Sequence, residues 1–88
     1  QGGQFLDVKG EGIKVTYIKA ADDRKGIIVR LLNLNHNEMQ SELQLPGNTL
    51  TSAWICTTQE ENIEKLIVKN SNVKILLKPY KITTIRIK

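Results

Sequence analysis

The eight residues EMQSELQL, positions 38–45, decide the fold of this chain. Met39, Ser41, Leu43 and Leu45 fall on one side of an extended backbone, and Glu38, Gln40, Glu42 and Gln44 fall on the other. Successive side chains of a strand point to opposite faces, so this run is a strand with one face in a core and one in water. The same period recurs upstream in GIKVTYIK, 12–19, which sets Ile13, Val15 and Tyr17 on a core face and Lys14 and Thr16 outside. GIIVRLLN, 26–33, is apolar on both faces except at Arg30, which predicts a central strand covered on both sides. LTSAWICTT, KLIVK, NVKILLK and KITTIRIK supply further strands, rich in the β-branched residues that suit a pleated surface.

Turn signals stand between these runs: KGEG, ADDRKG, NHN, LPGN and NSN. The single helical candidate is QEENIEKL, 59–66, long enough for one turn. Pro79 has no amide hydrogen and fixes its own φ, so it divides NVKILLK from the final run. No Gly or Asn-Gly pair is there for a tight hairpin, and a bend between two sheets is expected instead. In the final run Tyr80, Ile82, Thr84 and Arg86 share one face, and Thr83, Ile85 and Ile87 the other. The fold class is therefore all-β: an antiparallel β-sandwich of about seven to eight short strands, closed by the last one.

At 88 residues the chain is one domain, residues 1–88, with a thin core. It opens on Gln1 rather than Met and carries strand pattern to its last residue, so the expectation is a piece excised from a longer chain. Its 40% hydrophobic content comes mostly from Ile, Leu and Val. No apolar run approaches the ~20 residues that span a bilayer, so no membrane partner is expected. The net charge of +4 is spread from Lys9 to Lys88 and alternates with apolar residues, which suits the solvated face of a sheet. Nucleic-acid binders cluster such charge and interleave aromatics, so no nucleic-acid partner is expected.

Little here points to catalysis. Cys56, the one cysteine, excludes an internal disulfide and reads as a small buried hydrophobe. His36, the one histidine, lies in an Asn-rich turn, is expected to be exposed, and has no second His or Cys partner for a metal. Asp22, Asp23, Glu60, Glu61 and Glu64 lie in predicted turns and read as solvated loop charge. ADDRKG lacks the alternating oxygen ligands of a calcium loop, and the glycines form no phosphate loop. Phe5, Tyr17, Trp54 and Tyr80 are a poor supply for a sugar-binding platform, although a small β-sandwich invites that alternative.

The order IKVTYIKAADDRKGIIVRLLNLN, then ELQL, AWICTTQEEN and VKILLKPYKITTIRIK resembles the C-terminal β-domain of glycoside hydrolase family 38, the zinc-dependent α-mannosidases. The family's Lys-Ala-acid turn falls at Lys19, Ala20 and Asp22. Its following apolar strand falls at Gly26 to Val29 with Arg30, Leu31 and Asn33. Its acidic element falls at Glu60 or Glu61, and its closing Lys-Pro-aromatic pattern at Lys78, Pro79, Tyr80, Ile82, Thr84 and Arg86. Lys81 stands where the family often has an acid, and AWICTTQ lacks the usual Leu before the acidic position.

The resemblance implies a non-catalytic accessory β-sandwich that packs on, and helps shape, the catalytic portion of a retaining α-mannosidase. The nucleophilic Asp and zinc ligands of the family lie upstream, so no cofactor is expected in this fragment and zinc is implied only for the parent enzyme. Expected partners are the upstream domains of the same parent chain, with mannosides at the parent active site. No catalytic or metal residue is carried over. Arg30, Asn33, Glu60, Pro79 and Tyr80 are the candidates for structural or interdomain contacts. Arg30 either pairs its charge within the protein or extends it to water from a sheet edge. The alternative is an autonomous carbohydrate- or protein-binding module. One cysteine, no Asn-x-Ser/Thr sequon and a composition heavy in Ile, Lys and Asn suit a bacterial cytoplasmic protein.

Overall fold

The structure, a computed structural model, describes residues 6–44 and 50–88. Nine strands follow one another: β1 (Asp7–Lys9), β2 (Ile13–Ala20), β3 (Ile27–Asn33), β4 (Met39–Gln44), β5 (Ala53–Cys56), β6 (Asn62–Leu66), β7 (Val68–Lys69), β8 (Asn72–Leu77) and β9 (Ile82–Ile87). They form two antiparallel sheets, a four-stranded one ordered β1-β4-β8-β7 and a five-stranded one ordered β2-β3-β9-β5-β6. The expected all-β sandwich is thus found, with more and shorter strands than anticipated. Phe5 and the LPGN turn signal lie outside the described residues.

The core is the meeting of the two inward faces. Val29, Leu31, Ala53, Ile85 and Ile87 of the larger sheet pack against Leu43, Val73, Ile75 and Leu77 of the smaller, with Leu50 beside them. The alternation of EMQSELQL maps onto β4 as expected, with Leu43 and Ser41 buried. Ser41 offsets the burial of its hydroxyl by donating to the Lys9 carbonyl at 2.8 Å.

Three expectations are corrected. QEENIEKL is not helical: Glu60 turns the chain with φ 68°, and Asn62–Leu66 pairs with β5 as a sheet edge. KLIVK is not one strand, because the chain leaves the larger sheet after Leu66 and joins the smaller at Val68. Ile67, at that crossing, is exposed. Tyr17 is not on the core face. The β2–β3 register shifts between Val15 and Tyr17, which sets Tyr17 opposite Arg30 and returns Ile18 to the inward side opposite Val29. The last strand, β9, lies between β3 and β5 in the middle of the larger sheet.

The Pro79 bend does carry the chain from one sheet to the other, as expected. Lys81 N–H donates to the Lys78 carbonyl at 3.4 Å, with Pro79 second and Tyr80 third at φ 53°. A positive φ at the third position is what a type II turn demands, and Tyr80 adopts it without glycine's freedom.

Candidate functional site

The outward face of the five-stranded sheet carries the one extended polar cluster among the described residues. It starts from the parity of β9. Ile85 and Ile87 point into the core, so Thr84 and Arg86 must point out. Register places Arg86 between Ile28 of β3 and Trp54 of β5. Even so, Arg86 is only 4% exposed. A buried guanidinium must have its donors satisfied, and four bonds do this. Nε donates to Asn62 Oδ1 at 3.1 Å, and Nη2 to the Glu60 carbonyl at 2.6 Å. Nη1 donates to Asp23 Oδ1 at 2.9 Å and to the Lys25 carbonyl at 2.7 Å.

These acceptors sit on two loops that roof this half of the face. Loop 21–26 is closed by Ala21 N–H to the Gly26 carbonyl at 3.0 Å and Arg24 N–H to the Ala21 carbonyl at 2.9 Å. Lys25 N–H donates to Asp23 Oδ1 at 2.9 Å, so this carboxylate oxygen serves its own loop and Arg86 together. Loop 57–61 is pinned by Thr57, whose hydroxyl oxygen accepts from Gln59 N–H at 3.2 Å and Glu61 N–H at 3.1 Å. Asn62 Oδ1 also accepts from the Cys56 thiol at 3.2 Å, so Cys56 is buried as expected but bonded as well.

A second bridge joins the loops directly. Glu60 Oε1 accepts from Asp22 N–H at 2.9 Å, and Oε2 lies 2.8 Å from Lys19 Nζ. Lys19 also pairs with Asp22. The Glu60 side chain is 9% exposed, which overturns its reading as solvated loop charge, whereas Asp22 lies in water as expected. The Lys19 hydrogen bond holds the Asp22 carboxyl below its ordinary value, and the Arg86 hydrogen bond does the same for Asp23. In turn Asp22, then Glu60, raise Lys19, and Asp23 raises Arg86.

Arg30 stands beside this cluster under quite different conditions. Its Nη2 donates to the Thr58 carbonyl at 3.3 Å, and its guanidinium lies over the Tyr17 ring at 4.7 Å from the centroid. Its Nε is buried with no hydrogen-bond partner. Among the described residues Arg30 meets no carboxylate, and β3 is not an edge strand.

Of the residues singled out from sequence, Arg30 and Glu60 come to this face. Asn33, Pro79 and Tyr80 lie at the other end of the sandwich. Asn33 is fully buried there, donating to the carbonyls of Asn37 at 2.9 Å and Leu77 at 3.1 Å and accepting from Asn35 N–H at 2.9 Å. It ties β3 to the end of β8 and shapes turn 33–38, a contact within the domain. Tyr80 is exposed. Lys19, Asp22, Asp23, Asn62 and Arg86 were the members of the cluster not selected as contact candidates. Lys19, Asp22 and Arg86 did stand at positions of the family resemblance, and Arg86 also stood out as a charge on the outward parity of the final strand.

The cluster holds rather than reacts. A retaining glycosidase needs two carboxyl groups about 5–5.5 Å apart across a cleft. Here Asp22, Asp23 and Glu60 are each tied to a cation. The donor set does not fit zinc either. Among the described residues no three His, Cys, Asp or Glu side chains converge, His36 is exposed in its turn, and the Cys56 thiol is engaged with Asn62.

Comparison with known proteins yields one family. The model of the Glycosyl hydrolases family 38 C-terminal beta sandwich domain matches residues 12–85, from the turn before β2 into β9 and across both roofing loops. No curated protein matches the chain.

Proposed function

Because the chain belongs to the glycosyl hydrolase family 38 C-terminal β-sandwich domains, we propose that it serves a zinc-dependent, retaining α-mannosidase as a non-catalytic scaffold. It packs on the upstream domains of the same parent chain and helps shape the catalytic portion that binds mannosides. The family match carries this reading, and the chemistry of the cluster supports it. Arg86 and Lys19 are spent on fastening two loops to a sheet face, which is what a rigid packing surface requires. The nucleophile and the zinc ligands belong elsewhere in the parent, since the residues described here suit neither role. Composition, one cysteine and the lack of an Asn-x-Ser/Thr sequon favour a bacterial cytoplasmic parent.

The test compares the parent enzyme with the 88-residue chain on an aryl α-mannoside. The parent is expected to hydrolyse it with retention and to lose activity to a zinc chelator, while the chain alone gives no turnover. Turnover by the pure 88-residue chain sinks the scaffold role.

A further inference from the structure

The outward face of the five-stranded sheet is divided in two. Loops 21–26 and 57–61 roof the half around Arg86. The other half is open: Ile82 is 56% exposed and Tyr17 41%. Leu32, opposite Ile82 in the β3–β9 register, is half-buried beside them. The two arginines of this face are treated differently. Arg86 makes four hydrogen bonds, one of them to a carboxylate, whereas Arg30 makes one, to a carbonyl.

Among the described residues no loop acid pairs with Arg30: Asp23 is committed to Arg86, Asp22 and Glu60 to Lys19, and Glu61 is exposed and forms no ion pair. One more cation fringes the open half. Lys14 lies opposite Leu32, is exposed, and forms no ion pair among the described residues. The result is a strip of Tyr17, Leu32 and Ile82 bordered by two positive charges, those of Arg30 and Lys14.

We propose that this open half is where the upstream part of the parent chain docks, through an apolar protein surface fringed with Asp or Glu carboxylates, one of which pairs with Arg30. The proposal rests on the scaffold reading above and adds which face docks and what chemistry it meets. A second copy of the chain is a poor occupant, because a two-fold contact would bring the same cations together. A neutral mannoside would use neither of these charges. A nucleic acid would meet them but would leave Leu32 and Ile82 without an apolar counterpart.

Hydroxyl-radical footprinting of the parent enzyme and of the 88-residue chain decides the matter. In the chain alone Tyr17 and Ile82 should label as strongly as exposed Leu76 on the opposite sheet. In the parent their labelling should fall to the level of buried Ile85, with Leu76 unchanged. Arg30→Glu in the parent should restore the labelling of Ile82, and Arg30→Lys should not. Lys14→Glu, at an exposed position on the same face, should act in the same direction as Arg30→Glu.

Equal labelling of Tyr17 and Ile82 in the two proteins overturns the proposal. So does protection of the isolated chain that grows with its own concentration, or that appears on adding a mannoside or a DNA oligonucleotide. Mannoside hydrolysis by the same parent preparation is read separately. A protected but inactive parent refutes the mannosidase reading and keeps the docking surface, and an active, unprotected parent does the reverse.

Discussion

At the scale of single residues, Arg86 and Arg30 show how little a residue's type says about its energetic role. Both are arginines on the outward parity of neighbouring strands. Arg86 is enclosed and saturated, and its removal takes one bond each from Asn62 Oδ1, the Asp23 carboxylate and the carbonyls of Glu60 and Lys25 at once. Truncating the shared donor of such a network costs more than any one bond contributes, because four bonds, one of them to a carboxylate, are lost together. Arg86→Met, which keeps the apolar stem, is expected to destabilise the chain by about 3 kcal/mol in urea unfolding. Arg86→Lys should recover less than half of that, since one ammonium cannot reproduce a planar fork facing acceptors on two loops. Arg30→Met should cost less than about 1 kcal/mol, because it gives up one carbonyl bond and also removes a buried N–H that has no partner. A reversed order of the two methionine variants would show that Arg86 does not anchor the loops.

At the scale of elements, the loops depend on a backbone that few residues can follow. Gly26 ends loop 21–26 at φ 99°, and a Cβ there would meet the carbonyl oxygen of Ile87 in β9. Neither the conformation nor the space admits a side chain, and the obstructing atom belongs to a core strand. Gly26→Ala is therefore expected to cost about 1–2 kcal/mol, seen as a lower thermal midpoint, and to loosen Asp23 from Arg86. The elements also show what could be read from sequence. β4, β8 and β9 were legible because each has one apolar and one polar or mixed parity, and parity maps directly to faces. β6 was not, because an edge strand exposed along most of its length has no buried parity to display. What makes it a strand is pairing with β5, which local pattern does not contain. Tyr17 was misplaced by a single bulge that shifts the count without changing composition. In the cluster, Arg30 and Glu60 were noted on family grounds, but the Arg86–Asp23 contact spans 63 positions and exists only after the sheet has formed.

At the scale of the whole molecule, all three ion pairs of the described residues lie on one face, so the pH dependence of folding should report on that face. The Asp22 and Asp23 carboxyls are held below the ordinary value of 3.8 by Lys19 and Arg86. Depressed acids bind fewer protons in the folded chain than in the unfolded one. Their contribution is present above 3.8 and is lost as pH falls through the folded values. Lys19 has the opposite sign. Its ammonium is held above 10.5, so its contribution is complete below that value and is lost only as pH rises through the raised one. With respect to these groups the urea midpoint should be flat from about pH 5 to about pH 9, and should fall outside both limits. Acid also increases the net charge beyond +4, and self-repulsion of a compact basic chain steepens the same limb. Added salt and substitution separate the two causes. Salt screens the general repulsion, whereas an Asp22→Asn, Asp23→Asn double variant removes the specific titration and should flatten the part of the acid limb that persists at high salt. An acid limb unchanged in that variant would mean that the two loops are held to the sheet by Arg86's carbonyl and amide bonds alone, with the carboxylates merely lying near their cations.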